Sequence, residues 1–499
     1  QNIVYAEQQG YVWTEPEFST IVPDTPIHII YSEAVDRSSL VMGGDLAEEA
    51  EFSWVVPDSG YHYREGDLLL VLTPKTEWPI GSGLTLTVDC NDTEGYPSHS
   101  ISRSMTVSDG ALYVSPHGDD ADPGTKDLPM KSIAAAEELA AAINTNWTVG
   151  RPITRLYAAE GMYTEPHIDH TSGTVLEGGW DSDWSEQDPD TYPTVIEPDI
   201  YSETDPPEGD SIYSVCAVRD GESRTGLKDI TITVENPPIP ICGIYIEDCS
   251  PVISGVTIAS NGGERFDAFR TIGYSAPQFS DCGITVTDCT ETHGFQFLVT
   301  SDEKPGITEC SVTITNCTAA YGVDSESKCV EIMRSDFDLH GTAEVYGING
   351  FSADYIIRNN VINVSSDTPQ STTIFAIAGT FSSMTIQNNT IIYPVYGIYS
   401  TARSNPVVEN NLFLFQDSIP EVTDGAGYYA CSADSHPMKM RNNRFSNYER
   451  TYNYVDEDGN ESHYEHNQLA ALESDLTAMG REASGNTATT DDESSYFAE

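Results

Sequence analysis

The chain has 499 residues, too many for one ordinary core, and its 38% hydrophobic and 10% aromatic content excludes general disorder. Lys and Arg total 23 against 79 Asp and Glu, a formal net charge of −56. That balance excludes nucleic acid and anionic membranes as partners, because both are gripped through cations, and it repels polyanionic glycans as well. No run of 18 apolar residues exists, so no membrane insertion is expected. The polar opening at Gln1, with no initiator Met, reads as a mature extracellular or cell-surface chain after removal of a secretion signal.

The many glycines (38) and tyrosines (27) and the recurring turn residues favour short strands over long helices. Residues 1–108 read as a small β-domain. Strand-like runs at Thr25–Tyr31, Leu68–Leu72, Leu84–Val88 and Ser102–Val107 are separated by turn clusters such as Asp58–Gly60 and Gly81–Gly83. The segments PIHIIYSEAVDRSSL and LTPKTEWPIGSGLTLTV resemble bacterial Ig-like domains, which implies a β-sandwich used as a spacer.

A second unit begins at Ala111. Leu112–Val114 is a strand, a Gly/Asp/Pro loop follows, and Ser132 can cap a helix over 132–144 with Ile133, Ala136, Leu139, Ala140 and Ile143 on one face. Next come Leu156–Tyr163, Val175–Trp180 and Thr191–Ile196. This order resembles the opening of right-handed parallel β-helix proteins of the pectate-lyase-like superfamily. The resemblance implies an all-β fold with a β-helix over 111–450, its first coil covered by the amphipathic helix.

The body supports that expectation with a degenerate repeat. An Asn-Asn pair flanked by apolar residues occurs at Asn359/Asn360, Asn388/Asn389, Asn410/Asn411 and Asn442/Asn443, spaced by 29, 22 and 32 residues. Such irregular periods indicate a solenoid with loops of varying length. Asn tolerates left-handed backbone and so can turn a corner, and stacked Asn side chains can form a hydrogen-bonded ladder. A second repeat, Gly-Ile-polar-apolar, starts at Gly243, Gly283, Gly347 and Gly397. Residues 451–499 read as a C-terminal cap with a polar acidic tail, including one helix over Gln468–Met479.

Six of the ten cysteines form matching pairs seven residues apart: Cys242/Cys249, Cys282/Cys289 and Cys310/Cys317. Seven extended residues span about 20 Å, too far for a disulfide, whereas adjacent parallel strands lie about 4.8 Å apart. Bonds between coils are therefore expected, Cys282–Cys310 and Cys289–Cys317 first. Cys90 reads as a buried thiol or an intermolecular link.

Chemistry is harder to place. Of the polygalacturonase pattern only His340-Gly341 occurs, and residues 215–450 carry just Lys228, Lys304, Lys328 and Lys439, a poor start for gripping a polyuronate. The densest constellation is Lys328, Glu331, Arg334, Asp336, Asp338 and His340, which alternation would place largely on one outward strand face. Glu331, Asp336, Asp338 and His340 are its candidate catalytic groups. Asp119, Asp120 and Asp122 form a loop that could hold Ca²⁺ through oxygen ligands; no other cofactor is expected. Trp180, Trp184, Tyr192, Tyr428 and Tyr429 could stack on sugars or pack the coils. The reading that follows is a secreted structural or adhesive shaft, self-associating into fibres or a surface layer. The alternative is a carbohydrate-active enzyme (glycoside hydrolase or polysaccharide lyase) or a glycan-binding protein.

Overall fold

The computed structural model describes residues 12–489 apart from a set of connecting segments, the longest being 22–26, 56–67, 96–100, 146–152, 200–211, 220–224, 368–372 and 416–424. Lys328 and the tail beyond 489 lie outside the described residues. The chain forms two compact units, Gln1–Lys131 with Ala135–Tyr157, and Ser132–Ala134 with Ala158–Glu499.

The first unit carries two four-stranded sheets. One is antiparallel throughout, in the order Val12–Glu15, Ile27–Tyr31, Leu68–Pro74, Ala50–Val55. The other orders Thr20–Ile21, Ile101–Val107, Gly83–Asp92 and Val35–Gly43. Alternating apolar residues of both sheets, Ile27, Ile29 and Tyr31 against Leu84, Leu86 and Val88, share one core. Cys90 belongs to it as a buried free thiol whose Sγ lies 3.4 Å from the Asp36 carbonyl.

The second unit is a right-handed parallel β-helix. Each coil has three strands on three faces, and every strand pairs in parallel with its equivalent in the next coil. One coil shows the plan: Gln278–Ser280 on the first face, Gly283–Thr287 on the second, Glu291–Val299 on the third. In two later coils the second and third faces run on as single long strands, Ser311–Ser325 and Asp336–Phe351. Isoleucine, valine and phenylalanine from all faces fill the interior; Phe269 stacks on Phe295 of the next coil at 5.1 Å between centroids, and Phe279 meets both rings at an angle at 4.8 and 5.0 Å.

The corner between first and second faces is a single residue in left-handed conformation. Asp281, Glu309, Arg334, Asn359, Asn388, Asn410 and Asn442 have φ between 50° and 59° there. The first Asn of each pair thus turns the chain. Glycine replaces it where the preceding coil reaches over: a Cβ on Gly255 would lie 2.1 Å from Asp229 Oδ1, and one on Gly485 2.4 Å from Asn442 Oδ1.

The second Asn of each pair points inward and builds the ladder. Asn389 Oδ1 accepts from Asn360 N and Nδ2 at 2.9 and 3.0 Å, and Asn389 Nδ2 donates to Ile357 O and Asn411 Oδ1, both at 3.0 Å. Asn411, Asn443 and Asn486 repeat the pattern. In the earlier coils the same register position holds Ser335, Cys310 and Cys282. The ladder ends on the C-terminal helix Leu469–Ala478, where Glu473 Oε1 accepts from Asn486 N and Nδ2, both at 2.9 Å.

The expected disulfides are not formed; all ten cysteines are free thiols. Cys282 does stack on Cys310, and Cys289 on Cys317, through the pairing of their coils. Each sulfur instead lies 3.3–3.6 Å from the carbonyl two residues back, with Cys289 donating at 2.9 Å to Gly262 O, and fills the corner as a small apolar group. Cys242 and Cys249 do not extend these columns. Cys242 aligns with Asp267 on the third face, and Cys249 follows a different corner at Asp248.

Candidate functional site

The third-face strands break the in–out alternation once per coil. In Arg265–Gly273 the consecutive residues Ala268 and Phe269 both turn inward. The strand therefore kinks toward the interior, and the outward residues on either side tilt together. Asp267 and Arg270, three residues apart, meet at 3.2 Å between Oδ2 and NH1. The kink needs a small residue: Cβ atoms on Gly243, Gly294, Gly322 and Gly347 would lie 2.5–2.8 Å from the next coil's carbonyl oxygen. Repeated coil after coil, it draws two rows of side chains together along the third face, a strip termed the trough.

The first row runs Cys242, Asp267, His293, Tyr321, Tyr346, Phe375, Tyr396 in parallel register. The second runs Tyr245, Arg270, Gln296, Asp324, Asn349, Ala378, Tyr399, Tyr429. One half of the trough is charged and the other aromatic.

The charged half centres on Asp267, which is wholly buried. Its Oδ1 lies 2.8 Å from His293 Nδ1, and its Oδ2 3.2 Å from both Arg265 NH2 and Arg270 NH1. Burial alone pushes the Asp267 carboxyl up, but the bond and charge of His293 and then Arg265 outweigh it and hold the group below the usual carboxylate range. An ionised carboxylate only accepts, so Nδ1 of the buried His293 carries the proton and Nε2 is the atom turned away from Asp267. It lies 3.6 Å from Asp324 Oδ2 and 4.0 Å from Glu291 Oε1. Asp324 is itself held by Asn349 Nδ2 at 2.8 Å, and Arg270 also meets Gln296. The buried Cys242 thiol is pushed well up by burial and then by the Asp267 charge, so it is inert.

His293 stacks on Tyr321 at 4.7 Å, Tyr321 on Tyr346 at 5.1 Å, and Phe375 on Tyr396 at 5.5 Å. Because the near-parallel rings lie face to face along the axis, the trough presents their edges and hydroxyls. Tyr321 OH donates to Glu344 Oε2 at 2.6 Å.

The constellation expected from the sequence does not assemble here. Arg334 is a left-handed corner, φ 50°, so it splits the stretch between two faces. Glu331 is on the first face, in Cys329–Met333, while Asp336, Asp338 and His340 point outward from the second. Asp338 accepts from Asn363 Nδ2 at 2.8 Å, His340 Nδ1 meets Ser365 Oγ at 3.0 Å, and Arg334 pairs with Glu309 at 2.7 Å. In the Asp119–Asp122 loop, Asp119 Oδ1 accepts from Ala121 N at 3.0 Å and Asp120 Oδ1 from Lys131 N at 2.9 Å, as in a turn. No group of three metal-ligating side chains occurs among the described residues. Of the aromatics, Tyr429 lines the trough, whereas Tyr428 is interior and stacked on Tyr452 at 5.2 Å.

The trough had a signal in the sequence. Asp267, His293, Tyr321 and Tyr346 each precede the small residue of the kink: Ala268, Gly294, Gly322 and Gly347. The Gly-Ile motif caught Gly243, Gly347 and Gly397 of that column, but Gly283 begins a second-face strand.

No family model and no curated protein matches this chain. Among solved structures, XylC in complex with xylose aligns with 77% of this chain and 86% of its own, at 9% identity and a TM-score of 0.33. The family 28 exopolygalacturonase of Yersinia enterocolitica aligns with 83% of this chain and 97% of its own, at 10% identity and a TM-score of 0.21. Alignments this loose say nothing about the trough.

Proposed function

We propose that this is a carbohydrate-active β-helix protein whose trough binds and hydrolyses a neutral glycan. One observation carries the reading: Asp267 pins the buried His293 by Nδ1 so that Nε2 faces the partly exposed carboxylates Asp324 and Glu291. An imidazole oriented by one carboxylate and facing others is an arrangement for moving a proton to or from a sugar oxygen or a water. The tyrosine hydroxyls and Asn349 supply hydrogen bonds to sugar hydroxyls along the axis. A uronate is disfavoured, since Arg265 and Arg270 are already engaged by Asp267 and the accessible groups around them are carboxylates. That argues for a hydrolase over a lyase, which needs a uronate.

The shaft reading draws on the missing catalytic signature, the regular Asn and Cys columns, the acidity and the polar tail; the cluster around His293 favours the carbohydrate-active alternative. In this proposal the N-terminal unit is an Ig-like spacer and the protein works outside the cell.

The test is to screen neutral polysaccharides (xylan, β-glucan, mannan) beside polygalacturonate for reducing-end release. Cleavage of a neutral glycan is expected. His293→Ala and Asp324→Asn should lower kcat/KM about 100-fold or more with circular dichroism unchanged. Full activity in both variants, or no turnover of any neutral glycan, overturns the proposal.

A further inference from the structure

The two ends of the trough differ, and the difference bears on how a glycan chain would sit in it. On the aromatic side, Tyr321 and Tyr346 in adjacent coils, and Tyr396 and Tyr399 together two coils further on, are all partly exposed. On the other side of His293 the trough fills with its own side chains. Asp267 and Cys242 are wholly buried, and Ala217, Cys242 and Tyr245 form an apolar cluster with Ile212 and Ile272 packed against it.

Arg219 roofs that cluster. Its guanidinium lies 5.3 Å over the Tyr245 ring and is tied to Asp169 at 2.8 Å and Glu247 at 3.4 Å. Three coils are linked by this one side chain, because Asp169, Arg219 and Glu247 come from successive strands. The ion pair with Asp169 also holds that carboxyl low, after the hydrogen bond from His167.

Resting on the glycan reading above, we infer that the trough is a dead end, closed by Arg219 and Tyr245, and that it recognises the terminus of a glycan chain. A chain lying over the tyrosines runs into the Asp267 coil and stops there, with its last linkage at His293 and Asp324. The cleavage mode that follows is removal of units from one end, not scission within the chain. Arg219 and Tyr245 set this specificity without touching the reacting atoms.

The experiment uses the full chain with neutral hexasaccharides (xylohexaose, cellohexaose and mannohexaose), each in three forms: unmodified, reduced to the alditol, and capped at the non-reducing end by an O-methyl group. For the hexasaccharide that binds, one modified form should bind at least ten-fold more weakly, and the first product should be a monosaccharide or disaccharide. Arg219→Gln with Tyr245→Ala should bring the three forms within two-fold of one another. Either single variant serves if the double variant does not fold. Equal binding of all three forms by the unaltered protein, with trisaccharide as the main early product, overturns the dead end and leaves the glycan reading standing. Absence of binding to every hexasaccharide and polysaccharide overturns both.

Discussion

Asp267 is the residue on which most of the site depends, and its protonation has a readable consequence. Its carboxyl is held below the ordinary value of 3.8 in the folded chain. A depressed folded value means that ionised Asp267 contributes stability at all pH above the unfolded value. That contribution is lost as pH falls from about 4 through the lower folded value. Asp267→Asn should therefore be less stable than the unaltered chain at pH 7, by roughly 3 kcal/mol, because two arginines and His293 lose a charged partner. The gap should narrow below pH 4. Urea unfolding at pH 7, 5 and 3 checks this, and a gap that stays constant with pH would mean that the Asp267 charge is not the stabilising feature.

At the scale of elements, the Asn ladder fixes one coil on the next, and its energy is concentrated in few atoms. Replacing Asn389 by Leu strands the Asn360 backbone N–H and one Asn360 Nδ2 hydrogen in the interior and removes the side-chain bond to the Ile357 carbonyl. The expected cost is about 3 kcal/mol, seen as a lower urea midpoint, since buried groups without partners cost about 1–3 kcal/mol each. Glu473 acts as the last rung, although it stands on a helix. Glu473→Gln keeps an acceptor for Asn486 and should be nearly neutral, whereas Glu473→Ala should cost about 1 kcal/mol. Equal effects of the two substitutions would rule out that role.

At the scale of the whole molecule, the net charge of −56 is the dominant long-range term. Raising ionic strength from about 0.01 M to 0.15 M shortens the screening length from about 30 to 8 Å. Repulsion between like charges should weaken more than the few close ion pairs do, so Tm should rise by several degrees. A fall in Tm would show that surface pairs such as Arg219–Asp169 outweigh the repulsion.

The solenoid itself was legible because its rules are local. A left-handed corner wants Asn, a rung wants Asn, and apolar alternation marks the walls, so Asn359/Asn360 and their equivalents announce the coil. The site was not legible by the same means. Asp267 and His293 lie 26 residues apart and meet only through coil pairing, and the kink in their strands is carried by single small residues such as Gly294. Glu331 and His340 looked closer because a reading along one strand does not see the corner at Arg334. The cysteine columns were half right: the stacking of Cys282 on Cys310 follows from register, but burial with a carbonyl acceptor suffices to hold a thiol there.

The intervals between rungs vary: 25 residues from Ser335 to Asn360, then 29, 22, 32 and 43 to Asn486. Yet the backbone N–H of every rung donates to the Oδ1 of the next. The coil therefore behaves as an interchangeable unit of copy number. A lineage could duplicate or delete one whole turn, or grow a new arm at a corner as between Asn443 and Asn486, and still inherit an intact axis.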